Sequence, residues 1–296
     1  MTEGAGIASI VIPAHNEAAV LGNVLDTLLA NAAPGELDVV VVANGCRDRT
    51  AEIARSHGPD VHVIETDVAS KPNALNLGDE HARRFPRIYL DADIPITVAT
   101  VRRVVERLSE PGALAASPSM RIDTAGRPWA IRAYYDIWTR LPYVADGQLA
   151  GVIALSQAGR ARFGRFEDLI ADDLFVRGHF TPEERLRLDD CEYVVQAPHT
   201  LRSLVNVKVR SFAGTIELQQ RFPEVETQAR GRGGVRGRLQ VLAGQPRLWP
   251  ALTCYVGVWG TARAAGWWTV RSGGGHWRRD ETTRSAPSGG AAGRER

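Results

Sequence analysis

Two carboxylates one residue apart, Asp91 and Asp93, follow the apolar run Ile88-Tyr89-Leu90. If a strand ends at Asp91 and turns, both can face one crevice. Hard oxygen ligands of this kind suit Mg2+ or Mn2+, which usually retains waters and bridges substrate phosphates. An ion held there would offset the charge that builds on a leaving diphosphate. A simpler reading makes the aspartates caps of the next helix, and Asp-x-Asp alone does not choose between the two.

Three further clusters have the same form, an apolar run opening into polar residues. In Ile10-Val11-Ile12-Pro13-Ala14-His15-Asn16-Glu17, His15 or Asn16 can cap a following helix, and Glu17 can accept hydrogen bonds from a ribose or a base. Val39 to Val42 leads into Ala43-Asn44-Gly45-Cys46-Arg47-Asp48-Arg49-Thr50, where Asn44-Gly45 signals a turn and Asp48 is a candidate cap. Ser70-Lys71-Pro72-Asn73 opens a helix with a lysine. Cations are disfavoured at the positive end of a helix, so Lys71 calls for a nearby phosphate or carboxylate. Neither a P-loop nor a G-x-G-x-x-G fingerprint is present, which removes the main support for a kinase or dehydrogenase.

Positioning these clusters falls to alternating strands and helices. Strands are predicted at 8–13, 38–43, 61–65 and 87–91, and helices at 17–31, 50–57, 71–84 and 97–109, the pattern of a parallel sheet with crossover helices. Each polar cluster then lies after a strand, at the carboxyl edge where open α/β sheets bind ligands. Beyond residue 113 the predicted strands are 113–117, 151–156 and 191–197, with helices at 129–140 and 200–220. The run 230–238 reads as a loop or linker, and the Gly/Ala/Ser/Arg tail from Ser285 as disordered.

The 296 residues carry a formal charge of +2, with 44% hydrophobic and 24% charged residues, which allows a sizeable folded core. That near-neutral total hides a division. Residues 1–207 hold 21 Lys+Arg against 28 Asp+Glu, whereas 208–296 hold 15 against 6. Five of the seven tryptophans, from Trp249 onward, also lie in the basic part. This composition suits an anionic partner such as a membrane surface, a phosphorylated lipid or nucleic acid, and it equally suits a solvated Arg-rich surface packed on the main domain. Only Lys71 and Lys208 are lysines. Three scattered cysteines, Cys46, Cys191 and Cys254, show no metal spacing and fit a reducing cytoplasm, and the N-terminus has no signal-peptide pattern. The apolar stretch 248–262 is shorter than a membrane span.

Taken together, I-V-I-P-A-H-N-E, N-G-C-x-D-x-T, K-x-x-A-L-N and a strand-borne D-A-D, in this order, resemble the family 2 nucleotide-sugar glycosyltransferases of the GT-A fold, over residues 7–215. The resemblance implies an α/β, Rossmann-like, mostly parallel sheet with flanking helices, placed at 1–222; composition marks 223–284 as a basic, Trp-rich helical extension able to contact a membrane, and 285–296 as the tail. The resemblance also implies that Pro13, Ala14 and Glu17 line the base and ribose pocket, Asn44 meets the base, Lys71 lies beside the nucleotide and Asp91 binds ribose. Asp93 would hold Mn2+ or Mg2+ and the diphosphate, with His199 as a further metal or diphosphate contact. Many members have an aspartate at Asn44, so the base preference is open. Gly151 to Ser156 followed by Phe166 to Leu174 resembles the acceptor segment and its acidic pair, with Asp173 at the position of the general base and Asp172 counted among the nucleotide-sugar contacts. A competing reading makes Asp172 a mere helix cap. Arg202, Lys208 and Arg210 are candidates for the diphosphate or an anionic acceptor.

The expected activity is inverting transfer of a single sugar from a nucleotide diphosphate to a hydroxyl, on a soluble or a lipid-linked acceptor. The expected location is cytoplasmic, with peripheral contact at the inner face of the membrane and no nucleic-acid partner. The Q-x-x-R-W signature of processive synthases is absent. A sugar-1-phosphate nucleotidyltransferase is the alternative enzyme, disfavoured because Pro13 to Glu17 is not a glycine-rich basic loop. A catalytically silent nucleotide-sugar-binding protein at a membrane is the non-enzyme alternative.

Overall fold

β1 (Ala8–Ala14) and β2 (Leu37–Asn44) are buried along their whole lengths. Continuous apolar runs of this kind, rather than alternation, are what strands covered on both faces by helices require. The computed structural model describes residues 6–141, 144, 149–230 and 245–271. β3 (Val61–Thr66), β4 (Arg87–Leu90), β5 (Ala115–Asp123), β6 (Val152–Leu155) and β7 (Arg185–Gln196) complete a seven-stranded sheet in the order β3-β2-β1-β4-β6-β5-β7. β3, β2, β1 and β4 run parallel, β6 is antiparallel to both its neighbours, and β5 and β7 pair parallel at the far edge. This is the mixed, mostly parallel α/β sheet expected of a GT-A domain. Because the chain leaves β1 toward β2 and returns to β4 on the other side, its topological switch lies between β1 and β4. Their pairing runs only from Ser9 to Val11, so the strands part before Pro13, which has no N–H to contribute to a ladder.

The helices cover the sheet through regularly spaced apolar side chains. α1 (Leu21–Leu29) buries Leu21, Val24, Leu25 and Leu28, and α4 (Val98–Leu108) buries Val98, Val101, Val104 and Leu108. α2 (Thr50–Arg55) and α3 (Lys71–His81) lie between them in sequence, and α5 (Trp129–Trp138) follows β5. α6 (Gln157–Arg160) and α7 (Asp172–Arg177) are short, whereas α8 (Leu201–Arg221) is long and is followed by α9 (Pro223–Arg230) and α10 (Trp249–Arg271).

Several boundaries differ from the sequence expectation. α1 starts at Leu21 rather than at residue 17, because the Glu17 carbonyl first closes a turn with the N–H groups of Val20 and Leu21. Neither His15 nor Asn16 caps that helix, which has no side-chain cap. Thr97, not either aspartate of the Asp91 cluster, caps α4 by accepting from the Thr100 N–H at 3.2 Å, so the capping reading of that cluster fails. β7 starts at Arg185, six residues earlier than read, and its charged first half hides the strand period. The C-terminal helix α10 lies on α5 and α8 through Tyr255, Val258, Ala262 and Gly266. Most of the predicted loop at 230–238 and all of the tail from Ser285 lie outside the described residues.

Candidate active site

The ends of β1 and β2 are tied together by polar groups that backbone geometry leaves exposed there. Asn16 sits at φ 52°, a left-handed conformation that asparagine tolerates better than most residues. Its Oδ1 accepts the Arg47 N–H at 2.8 Å, and the His15 ring bonds the Asn44 carbonyl. The Glu17 N–H donates to Thr50 Oγ1 at 2.8 Å, and that hydroxyl donates in turn to Asp48. Gly45 turns at φ 57°, where a Cβ would lie 2.7 Å from that of Ala69. Between these loops is a cleft of about 420 Å³ lined by His15, Asn16, Gly45, Cys46, Arg47 and Asp67. That volume lies within the range of small-molecule pockets, roughly 300–1,000 Å³. Ala14 and Glu17, next to His15 and Asn16 in the chain, are buried.

Asn44 is 2% exposed. Its Nδ2 donates to the Ala14 carbonyl at 2.9 Å and toward that of Val42 at 3.4 Å. The amide orientation is thereby set, and Oδ1 is buried with no donor among the described residues. A buried acceptor without a partner costs about 1–3 kcal/mol, which a ligand donor recovers.

Beside the cleft, at the gap between β1 and β4, Pro13, Lys71, Asp91, Gly151, Asp172 and Asp173 line a narrow recess. Ser70 caps α3, accepting from Asn73 N–H at 3.3 Å, and so places Lys71 in the first turn. The Lys71 ammonium lies 2.8 Å from Asp91 Oδ1 and 2.9 Å from Asp172 Oδ2. Desolvation opposes its charge, but Asp172 and Asp91 outweigh it and hold the lysine pKa above its ordinary value. The anion expected at this helix start is thus supplied by the protein itself. Asp91 ends β4 in a turn closed by the Ile94 N–H at 3.1 Å, and its own N–H donates to the Gly151 carbonyl at 2.9 Å. Gly151 has φ 69°, and a Cβ there would come within 2.4 Å of Ile94 Cδ1, so only glycine brings β6 this close to Asp91.

The acid pair is held from two sides. Asn76 on α3 accepts the Phe166 N–H at 2.8 Å and donates to the Phe166 carbonyl at 2.9 Å. From α8, Glu217 accepts the Ile170 N–H at 3.1 Å and Arg221 donates to the Asp168 carbonyl at 2.6 Å. Asp172 then opens α7 as a helical residue and is not its cap, which is Ala171. Asp173 Oδ1 accepts the Leu174 N–H at 2.7 Å. Burial first, and then the neighbouring Asp172 charge, push the Asp173 pKa up to about 6 against the pull of Lys71. A carboxylate raised toward neutrality is suited to taking up a proton.

The structure therefore gathers Pro13, Lys71, Asp91, Asp172 and Asp173 in one recess, with Ala14, Glu17 and Asn44 beside it. Asp93 is exposed in the turn after Asp91. His199 is also exposed, with Nδ1 3.0 Å from Arg127 Nη1, and lines neither hollow. Among the described residues no group of three or more His, Cys, Asp or Glu side chains is placed to hold a metal. Asp93 still fits Mg2+ or Mn2+, because such an ion is completed by waters and substrate phosphates rather than by a protein cage. Lys208 does not reach the recess. Its ammonium lies 4.5 Å from the Trp138 ring centroid and 5.4 and 5.5 Å from those of Tyr134 and Tyr135, and burial lowers its pKa to about 8. Arg202 and Arg210 are exposed on α8. Gly151, Asn76 and Asp67 were given no role from the sequence. Two of them left a trace there, Asn76 as the last residue of K-x-x-A-L-N and Gly151 as the first of the acceptor-segment run 151–156.

Comparison with known proteins agrees with the fold. The fold is similar to that of a mannosyltransferase from Pyrobaculum calidifontis solved with GDP-Man and Mn2+, with a TM-score of 0.64 and 18% identity over 89% of this chain and 86% of that one. It is also similar to glucosyl-3-phosphoglycerate synthase from Mycobacterium tuberculosis solved with Mn2+, UDP and phosphoglyceric acid, with a TM-score of 0.54 and 18% identity over 74% and 78% of the two chains. A 4,4'-diaponeurosporenoate glycosyltransferase of Staphylococcus aureus (strain USA300) is 30% identical over 118 residues, which span 37% of this chain and only 31% of that relative. The model of glycosyl transferase family 2 matches residues 9–171, more than half of the sequence, from β1 to the residue before the acid pair. The chain belongs to glycosyl transferase family 2.

Proposed function

We propose that this protein transfers one sugar from a nucleotide diphosphate to an acceptor hydroxyl, with inversion at the anomeric carbon. The supporting observation is the Lys71 ammonium held between Asp91 and Asp172, which joins the nucleotide side of the site to the acid pair. The cleft between β1 and β2 takes the base and ribose, with Pro13, Ala14, Glu17 and Asn44 toward the base and Asp91 toward ribose. The unpaired Asn44 Oδ1 suits a base with a ring N–H, such as uracil, thymine or guanine, over adenine or cytosine, whose corresponding nitrogen is an acceptor. Asp93 would hold Mn2+ or Mg2+, with His199 able to join it only if the Arg127 contact is given up. When bound, the ion supplies positive charge to the departing diphosphate. Asp173 takes the acceptor proton as the acceptor oxygen bonds to the anomeric carbon and the bond from that carbon to the phosphate oxygen breaks. Lys71 pairs with Asp172 and Asp91 and holds both carboxylates in place.

The proposed base and ribose contacts come from the first half of the chain and the acid pair from later, which divides the proposed site into a donor and an acceptor side, with Asp172 at the border beside Lys71. A hydroxyl on a small molecule or on a lipid carrier fits this division, and a lipid-linked acceptor agrees with the basic C-terminal end. The test is an assay of UDP-, GDP- and dTDP-sugars with Mn2+, following nucleoside diphosphate release with and without candidate acceptors. Release from at least one donor, lost in Asp91→Asn, supports the reading. Pyrophosphate release from a nucleoside triphosphate and a sugar phosphate would establish a nucleotidyltransferase instead.

A further inference from the structure

α10 is apolar on two faces, and among the described residues only one of them is covered. Tyr255, Val258, Ala262 and Gly266 face inward, with Tyr255 stacked on Tyr134 at 5.2 Å and Cys254 Sγ 3.2 Å from the Ala130 carbonyl. A Cβ on Gly266 would stand 3.1 Å from that of Phe212, so α10 is seated tightly on α8. On the outward side Trp249, Val256 and Trp267 are seven and eleven residues apart, close to two and three helical turns, and form one stripe. They are 59%, 52% and 52% exposed, and the adjacent Trp268 is 68% exposed. The Cys254 contact brings the start of α5 alongside α10, and there Trp129 is 56% exposed.

Charge selects the occupant. From Gln245 to Arg271 there is no Asp or Glu, whereas Arg247, Arg263 and Arg271 are present, and the Arg271 guanidinium lies 5.2 Å from the Trp267 ring. Tryptophans flanked by arginines and held on a helix that is fixed to the protein suit the headgroup zone of a bilayer. No helix among the described residues is long and apolar enough to cross a membrane. We infer that the outward stripe of α10, with Trp129, docks the protein flat on an anionic lipid surface. This contact is separate from the catalytic recess and does not depend on its chemistry.

Full-length protein should sediment with phosphatidylcholine vesicles containing about 30% phosphatidylglycerol and not with phosphatidylcholine alone, and should be released in about 1 M salt. The triple variant W249S/W267S/W268S should bind the anionic vesicles about tenfold or more weakly while keeping its melting temperature and its donor hydrolysis in solution. R263Q/R271Q, which leaves the tryptophans, should lose about tenfold together with much of the salt dependence. Wild-type protein remaining in the supernatant, or a triple variant that sediments like wild type, would overturn the inference. So would a wild-type dimer that the triple variant splits without any vesicle binding, because the stripe would then cover a second copy of the chain.

Discussion

Asp173 is the residue on which the chemistry is easiest to test. Asp173→Asn keeps the shape and removes the proposed base, so kcat should fall by about 10²–10⁴ with little change in donor KM, measured with saturating acceptor. In wild type, kcat/KM should decline below about pH 6, where Asp173 is protonated, and be flat above it. The same shift predicts a stability effect of the opposite sense. A raised folded pKa means that the folded state holds the proton more tightly than the unfolded chain, where an aspartate titrates near about 4. The associated stability is complete below about pH 4 and is lost as pH rises through about 6. Asp173→Asn should therefore be more stable than wild type at pH 7, by on the order of 2 kcal/mol, and the gap should close by about pH 4 in urea titrations. A gap independent of pH would contradict the assignment.

At the scale of elements, the site depends on how the segment before α7 is held against α3 and α8. The Asn76 side chain satisfies both backbone groups of Phe166, and it is 7% exposed. Asn76→Ala should cost about 2–3 kcal/mol in urea unfolding, because two buried backbone groups lose their partners. It should also lower kcat more than donor KM, since the displaced part is the acid pair. This clamp was not legible in K-x-x-A-L-N, where the asparagine reads as an ordinary helix residue. Its partner lies 90 positions further along the chain. By contrast, the strands β1 to β4 and helices α1 to α4 were legible to within a few residues, because unbroken Val/Ile runs and i, i+3, i+4 spacing are local signals. β7 was half missed, since Arg185 to Asp190 alternates charge with leucine on an edge strand.

For the whole molecule, the proposed ion would couple the donor to the fold. Asp93 is its proposed ligand and the described residues hold no three-ligand cluster, so affinity for the free ion should be weak and should rise with nucleotide bound. Chelation with EDTA should abolish transfer, and Mn2+ should restore it. In thermal melts, Mn2+ with nucleoside diphosphate should raise the melting temperature more than the two separate effects combined. Additive effects would argue that the ion does not bridge protein and phosphate.

By itself the sequence determined the α/β sheet, the order of its strand-end clusters and the likeness to family 2, and it nominated the carboxylates proposed for the site, since each rests on residues close together in the chain. Only the tertiary structure decided how those clusters meet. Lys71 pairs with Asp91 and Asp172, Gly151 admits β6 beside Asp91, and Asn44 keeps an acceptor free inside the protein. It also removed Lys208 from the recess and placed it among the aromatic rings of α5. The physical reason is separation along the chain. Periodicity and turn chemistry are written within about ten residues, whereas these contacts join positions 20 to 100 apart and exist only once the sheet has brought its strand ends to one edge.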